Sequence, residues 1–314
     1  MDIRNIMNLL GKITVKTGLP VPVNKEIIYK WAFDLNLPRN GEIYLYTGGL
    51  YQLIPYINST VEYLSIFATM KNSEVFMKIL NRLIDINPNI ISSLIQADKK
   101  QIKESYEILK NITELILKVQ TNVSYLYEDD IYSGVLLYDM GLDDYFSRQA
   151  STVYKNFLKR GVKKVIVIDP HTTYILKEGY PRFIDNFNLE VINYIELLSS
   201  NKIELKKSNI KVTIHDPCYY SRYNNIVEQP RMLLRLKGIE INEVKRSKRN
   251  TFCCGGPLEA FSPKFSHDIA KVRIEELSKK SNIIVTMCPI CKANLSRVNN
   301  GLEIKDLSQI LLDS

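Results

Sequence analysis

The cysteines constrain this chain more than any other residue type. All five lie in its last third: Cys218, the adjacent Cys253-Cys254, and Cys288 and Cys291 within Cys288-Pro289-Ile290-Cys291. Written as spacing, the pattern is C-x34-CC-x33-C-x-x-C. A lone buried cysteine serves well enough as a small hydrophobe, but that reading leaves a doublet and a C-x-x-C unexplained. Thiolates are soft ligands that select iron–sulfur units or zinc. Zinc in a closed tetrahedral site uses four thiolates. A fifth is surplus for zinc and useful for a larger iron–sulfur assembly.

The residues around each cysteine suit that chemistry. Ile283-Ile284-Val285-Thr286-Met287 reads as a strand that ends at Cys288, with a helix beginning at Pro289. Helix-start amides stabilise negative charge on sulfur, and Pro289 stiffens the turn. Cys253-Cys254 are followed by Gly255-Gly256, as adjacent sulfurs require if the backbone is to turn sharply beside a metal. Cys218 follows His215-Asp216-Pro217 after the strand-like Lys211-Val212-Thr213-Ile214. That is the carboxyl end of a strand, where open parallel sheets form their ligand crevices.

Further apolar runs, Glu42-Ile43-Tyr44-Leu45-Tyr46 and Lys164-Val165-Ile166-Val167-Ile168, precede helical patterns. Their continuous apolarity predicts parallel strands covered on both faces. The chain also repeats itself. Strand-Asp169-Pro170-His171-Thr172 mirrors strand-Cys288-Pro289-Ile290-Cys291, Thr47-Gly48-Gly49 stands where Cys218 does, and Tyr132-Ser133-Gly134 echoes Cys253-Cys254-Gly255. The expected fold is α/β: two duplicated parallel units around a pseudo-two-fold, with a helical insertion in the first. The expected domains are an N-terminal arm over 1–40, a unit over 41–200 without cysteine ligands and with a helical insert over 59–126, and an intact unit over 201–314. The polar, lysine-rich stretch 196–209 marks the junction. Within the insert, Ser59-x-x-Glu62 predicts a capping box, and Ile102, Tyr106, Leu109, Ile112, Leu115, Ile116 and Val119 form a helical stripe that packs on its own domain. Asn87-Pro88-Asn89 breaks the insert into at least two pieces.

Composition narrows the function classes. With 42 Lys and Arg against 34 Asp and Glu, the net charge is +8. No basic run is interleaved with aromatics as a nucleic-acid groove needs, so no nucleic-acid partner is expected. No segment reaches the ~18 uncharged apolar residues of a membrane span, and no secretory signal opens the chain. The expectation is a soluble cytoplasmic protein, in which five cysteines argue for metal rather than disulfides.

At these residues the chain resembles the cysteine-rich CCG-domain family. That family includes the B and D subunits of heterodisulfide reductase and the iron–sulfur subunits of glycolate, lactate and glycerol-3-phosphate oxidoreductases. The resemblance is strong over 209–298, where His215-Asp216-Pro217-Cys218, Arg222, Pro230-Arg231, Cys253-Cys254-Gly255 and Cys288-Pro289-x-Cys291 stand in the family's order. It is weaker over 40–56 and 127–185. Gly49, Tyr132, Ser133, Asp169 and Thr172 occupy the cysteine positions of the first unit, and no ferredoxin motif precedes it, so a single-cluster role is what the resemblance supports. It implies that Cys218, Cys253, Cys254, Cys288 and Cys291 hold one [4Fe-4S]-type cluster, the non-cubane form among the options. It also implies an electron-transfer subunit of a heterodisulfide-reductase-like complex, with flavin- or ferredoxin-type partner subunits and a small thiol or disulfide as candidate substrate. The iron–sulfur subunit of a 2-hydroxy-acid (glycolate or lactate) oxidase and a zinc-bearing scaffold are the alternatives.

Other residues carry weaker signals. His215 is a candidate donor to a cluster sulfur or a fixer of its turn. Arg222 is a candidate for charge compensation, or a solvated arginine. His171 reads more simply as part of a surface turn than as a binding residue beside Asp169. Trp31 reads as a packing anchor. Nothing resembles a dinucleotide fingerprint or a phosphate loop, so a flavin or nicotinamide would sit on another subunit.

Overall fold

Among the described residues, eight short strands form two four-stranded sheets. The computed structural model describes residues 3–68, 73–87, 92, 95–259, 261–299 and 301–313. The strands are β1 (Ile43–Tyr46), β2 (Ser124–Tyr125), β3 (Lys164–Val167), β4 (Glu190–Asn193), β5 (Lys211–Ile214), β6 (Glu240–Ile241), β7 (Ile283–Thr286) and β8 (Glu303–Asp306). One sheet runs β2-β1-β3-β4 and the other β6-β5-β7-β8. Within each set of four, the second strand lies outside the first, and the third and fourth follow on the other side. The two sheets therefore share one topology, both are parallel, and the α/β expectation holds.

The four strands expected from sequence are β1, β3, β5 and β7, the two central strands of each sheet. Their inner residues are solvent-free, Val165, Ile166, Val212, Ile214, Ile284 and Val285 among them, as strands covered on both faces must be. The pairing of β5 with β7 sets Thr213 against Ile284 and Ile214 against Val285. The order reverses between those two strands, which makes their carboxyl ends a switch point, the usual place for a ligand crevice in such sheets.

The chain divides into two compact units. One comprises Met1–Glu107, Val123–Val165 and Ile175–Val191, and the other Ile108–Asn122, Ile166–Tyr174 and Ile192–Ser314. The turn after β3, with Asp169 and His171, thus belongs to the unit that carries all five cysteines. In that unit Val244, Cys254, Ile274, Leu277, Ile284, Cys288, Cys291, Leu295 and Ile304 form one core cluster.

In the other unit, Trp31 is the expected anchor: it is buried, donates from Nε1 to the Ile28 carbonyl at 2.9 Å, and meets Tyr125 edge-on at 5.2 Å. The capping box at Ser59 does not form. One helix runs unbroken over Leu50–Ala68, and the Ser59 hydroxyl donates back to the Pro55 carbonyl. Left-handed Gly48 and Gly49 turn the chain into that helix, and buried Leu50, Tyr51 and Leu53 hold its first turn, so the start lies ten residues earlier than the cap motif suggests. The break at 87–89 is described only at Asn87, just past the helix Ser73–Ile86; Pro88 and Asn89 lie outside the described residues. The stripe of the helix Lys99–Leu117 is buried at Ile108, Leu109, Ile112, Leu115 and Ile116, but these residues fall in the cysteine-bearing unit and not, as expected, in the domain of the insert.

Candidate metal centre

Three backbone segments bring the five sulfurs to the β5/β7 switch point. Cys218 follows β5 at the start of the wide π-helical turn Tyr219–Tyr223, while Cys288 caps the helix Pro289–Arg297 after β7, and Cys291 sits in its first turn. Cys253 and Cys254 come from the loop between a short turn at Lys248–Asn250 and another at Gly256–Leu258. All five thiols are free, Cys254, Cys288 and Cys291 buried and Cys218 and Cys253 half-buried. The sulfurs form a continuous chain of hydrogen bonds, Cys218 to Cys253 to Cys254 to Cys291 to Cys288. The structure thus gathers every cysteine singled out in the sequence.

The glycines do what adjacent sulfurs need. Gly255 is left-handed at φ +83°, and a Cβ on it would lie 2.5 Å from the Ser266 carbonyl oxygen. A Cβ on Gly256 would lie 2.3 Å from the Ile290 side chain and 3.4 Å from the Cys254 sulfur. The bare backbone lets the Gly255 amide donate to Cys253 Sγ at 3.3 Å and the Gly256 amide to Cys254 Sγ at 3.4 Å. The Cys291 amide does the same for Cys288. Three sulfurs therefore receive backbone donors, as thiolates do.

The charges inside the cage are mutually limiting. Hydrogen bonds from Cys218 and Cys254 hold the Cys253 thiol well below the usual range, and the donors in turn are pushed up. Burial pushes Cys288 up, but hydrogen bonds from Cys291 and His171 outweigh it and bring it down. Five thiolates packed this closely repel one another, so the donor set reaches full charge only around a multiply charged cation or cluster. Thiolate donors, amide support and a cradle closed to any Cβ all fit such a group.

A polar frame holds the segments in place. Asp216 accepts a bidentate pair from buried Arg231 at 2.8 and 2.9 Å and also the Lys248 amide at 2.6 Å; its carbonyl accepts the Thr251 hydroxyl at 2.9 Å. Arg231 continues to Glu243 at 2.6 Å. Arg222 donates to the Thr251 and Arg249 carbonyls, which fastens the loop that leads into Cys253. Asn294 donates to the Cys254 carbonyl, and Ser266 donates to the Gly255 carbonyl at 2.8 Å. His215, at the end of β5, places a ring nitrogen and the sulfurs of Cys254 and Cys291 within 4.8 Å of one another.

His171 and Asp169 correct the sequence reading. Both are buried, and the surface turn expected at His171 does not exist. The His171 ring lies on Tyr219, centroids 4.2 Å apart, and hydrogen-bonds the Cys288 sulfur. Asp169 Oδ1 accepts the His171 and Thr172 amides at 2.9 Å each. The segment that mirrors Cys288–Cys291 in the first copy thus lies beside Cys288 itself. Arg273, Ser266 and Asn294 went unnoticed in the sequence. A signal existed for Arg273: it interrupts the buried stripe Ser266, Ala270, Ile274 and Leu277 of the helix Pro263–Ser278 and is itself solvent-free.

The structure thus defines an α/β protein with a cluster of five thiols at a strand switch point. Residues 212–296 match the model of the cysteine-rich CCG domain. The chain is 29% identical over 213 residues to the EtfAB:quinone oxidoreductase of Syntrophomonas wolfei, covering 63% of this chain and 29% of that protein. It is 28% identical to the probable iron-sulfur-binding oxidoreductase FadF of Bacillus subtilis, over 64% of this chain and 29% of that one. One component of the dihydromethanophenazine:CoB–CoM heterodisulfide reductase of Methanosarcina barkeri is 26% identical, over 64% of this chain and 54% of that one. The chain therefore spans less than a third of the length of the first two relatives. Among the described residues no helix is long and apolar enough to cross a membrane.

Proposed function

We propose that this chain is an iron–sulfur electron-transfer subunit of an oxidoreductase complex. In this reading Cys218, Cys253, Cys254, Cys288 and Cys291 hold one [4Fe-4S]-type cluster of the non-cubane kind. The observation that carries it is the convergence of all five thiols, three with amide donors, at one switch point. The surplus fifth thiol favours an iron–sulfur assembly over tetrahedral zinc. The names of the relatives, among them iron–sulfur-binding and heterodisulfide-directed oxidoreductases, support the same class.

A cluster in this position supplies one-electron transfer. The protein's part is to hold the sulfurs, exclude water from Cys254, Cys288 and Cys291, and leave Cys218 and Cys253 on the accessible side. A small thiol or disulfide, or a flavin- or ferredoxin-type partner subunit, approaches from there. The test is metal and acid-labile sulfide analysis with EPR on protein purified without oxygen. About four irons per chain with matching sulfide is the expected result, and zinc without iron overturns the reading.

A further inference from the structure

His215, Cys254 and Cys291 are close enough to be taken for a three-ligand metal site. The hydrogen bonds around His215 say otherwise. Its Nδ1 accepts from Arg273 Nε at 3.0 Å. A guanidinium has five donors, no acceptor and a permanent charge, so Nδ1 offers its lone pair to Arg273 and carries no proton. Arg273 is fixed in that orientation. It is solvent-free, and it donates from Nη1 to the Arg246 carbonyl at 2.9 Å and to Glu276 at 2.8 Å. The proton of a neutral imidazole is then on Nε2. Nε2 is buried and has no hydrogen-bond partner among the described residues. A buried donor left unmade is costly, and the acceptors at hand are sulfurs.

We infer that Arg273 locks His215 as an Nε2–H donor to the sulfur cage, so that His215 supports the bound group without ligating it. Nδ1 is occupied and Nε2 is protonated, which leaves no nitrogen lone pair for a metal. The donation serves anionic sulfur, and hydrogen bonds to cluster sulfur raise the reduction potential. The potential effect rests on the iron–sulfur reading above, but the tautomer does not.

Two measurements test the inference. The chain has three histidines, so protein labelled with nitrogen-15 at histidine gives a resolvable set of ring correlations. A protonated Nε2 with a bare Nδ1 at His215 is expected, in metal-free as in loaded protein; a proton on Nδ1, or Nε2 without one, overturns the inference. In protein that carries iron and sulfide, His215→Leu should lower the midpoint potential, by about 59 mV if the one-electron equilibrium shifts tenfold. His215→Gln, which keeps a donor near the same place, should recover most of that shift. Arg273→Met, which touches no sulfur, should shift the potential in the same direction as His215→Leu. An unchanged midpoint in loaded His215→Leu, or a directly coordinated nitrogen in the EPR of the wild type, overturns it. If the leucine variant takes up no iron, the tautomer in the wild type decides. Protein that holds zinc alone defeats the function proposed above, while the tautomer still judges this inference.

Discussion

At the scale of single residues, the site depends most on positions that have no functional group. Gly255 combines a left-handed backbone with a carbonyl 2.5 Å from where a Cβ would stand. Gly255→Ala must move the Ser266 carbonyl or give up φ +83°, a strain of about 1–3 kcal/mol. The expected outcome is a lower urea midpoint and a loss of bound metal, because the amide that supports Cys253 moves with the turn. Gly301→Ala provides the control: it too is left-handed, but nothing lies within 4 Å of its Cβ position, so it should lose stability and keep its metal. The glycine doublet was legible in sequence because adjacent sulfurs need such a turn. His171 was not, because its role depends on the turn after β3 lying beside Cys288, a tertiary fact that no local pattern carries.

At the scale of elements, what could be read in advance followed burial. β1, β3, β5 and β7 stood out because central parallel strands are apolar on both faces. β4 and β8 escaped notice as Glu190-Val191-Ile192-Asn193 and Glu303-Ile304-Lys305-Asp306, edge strands whose outer residues remain exposed or half-buried. β2 and β6 have two residues each, too few for any periodicity. The loop from β5 to Cys218 was recognised by its motif, yet the motif does not say why Asp216 is there. The structure supplies the reason, since one carboxylate grips Arg231 and the Lys248 amide and so ties the end of β5 to the approach to Cys253. Asp216→Ala leaves Arg231 buried with only Glu243 to pair it, a loss of about 3–5 kcal/mol. Thermal unfolding should show that loss, and metal content should fall with it. Arg222→Ala removes a fastening on the exposed side of the same loop and should cost less than half as much.

At the scale of the whole molecule, the two copies share a topology and differ in what they place at their switch points. Where the second has cysteines, the first has Thr47 after β1, held to buried Asp130. That carboxylate accepts the Thr47 hydroxyl at 2.6 Å, the Thr47 amide at 3.1 Å and the Tyr125 hydroxyl at 2.6 Å. Burial nevertheless prevails over these donors and pushes Asp130 up from 3.8 to about 7. The sign of the linkage follows: the folded state holds the Asp130 proton more tightly than the unfolded chain, so this contribution to stability is complete below about pH 4 and is lost as pH rises through about 7. Trp31, the single tryptophan, donates to the Tyr125 hydroxyl at 3.3 Å and therefore reports on this unit, whereas the cluster's visible absorption would report on the other. Between pH 5 and pH 8 the urea midpoint read by Trp31 should fall, by the equivalent of about 1–4 kcal/mol, and Asp130→Asn should flatten that dependence. Removing the metal with a chelator should lower the transition of the cysteine-bearing unit and leave the pH dependence seen by Trp31 in place, because the four groups that create it all lie in the unit without cysteines. If the Trp31 transition loses its pH dependence when the metal is removed, Asp130 is not its source.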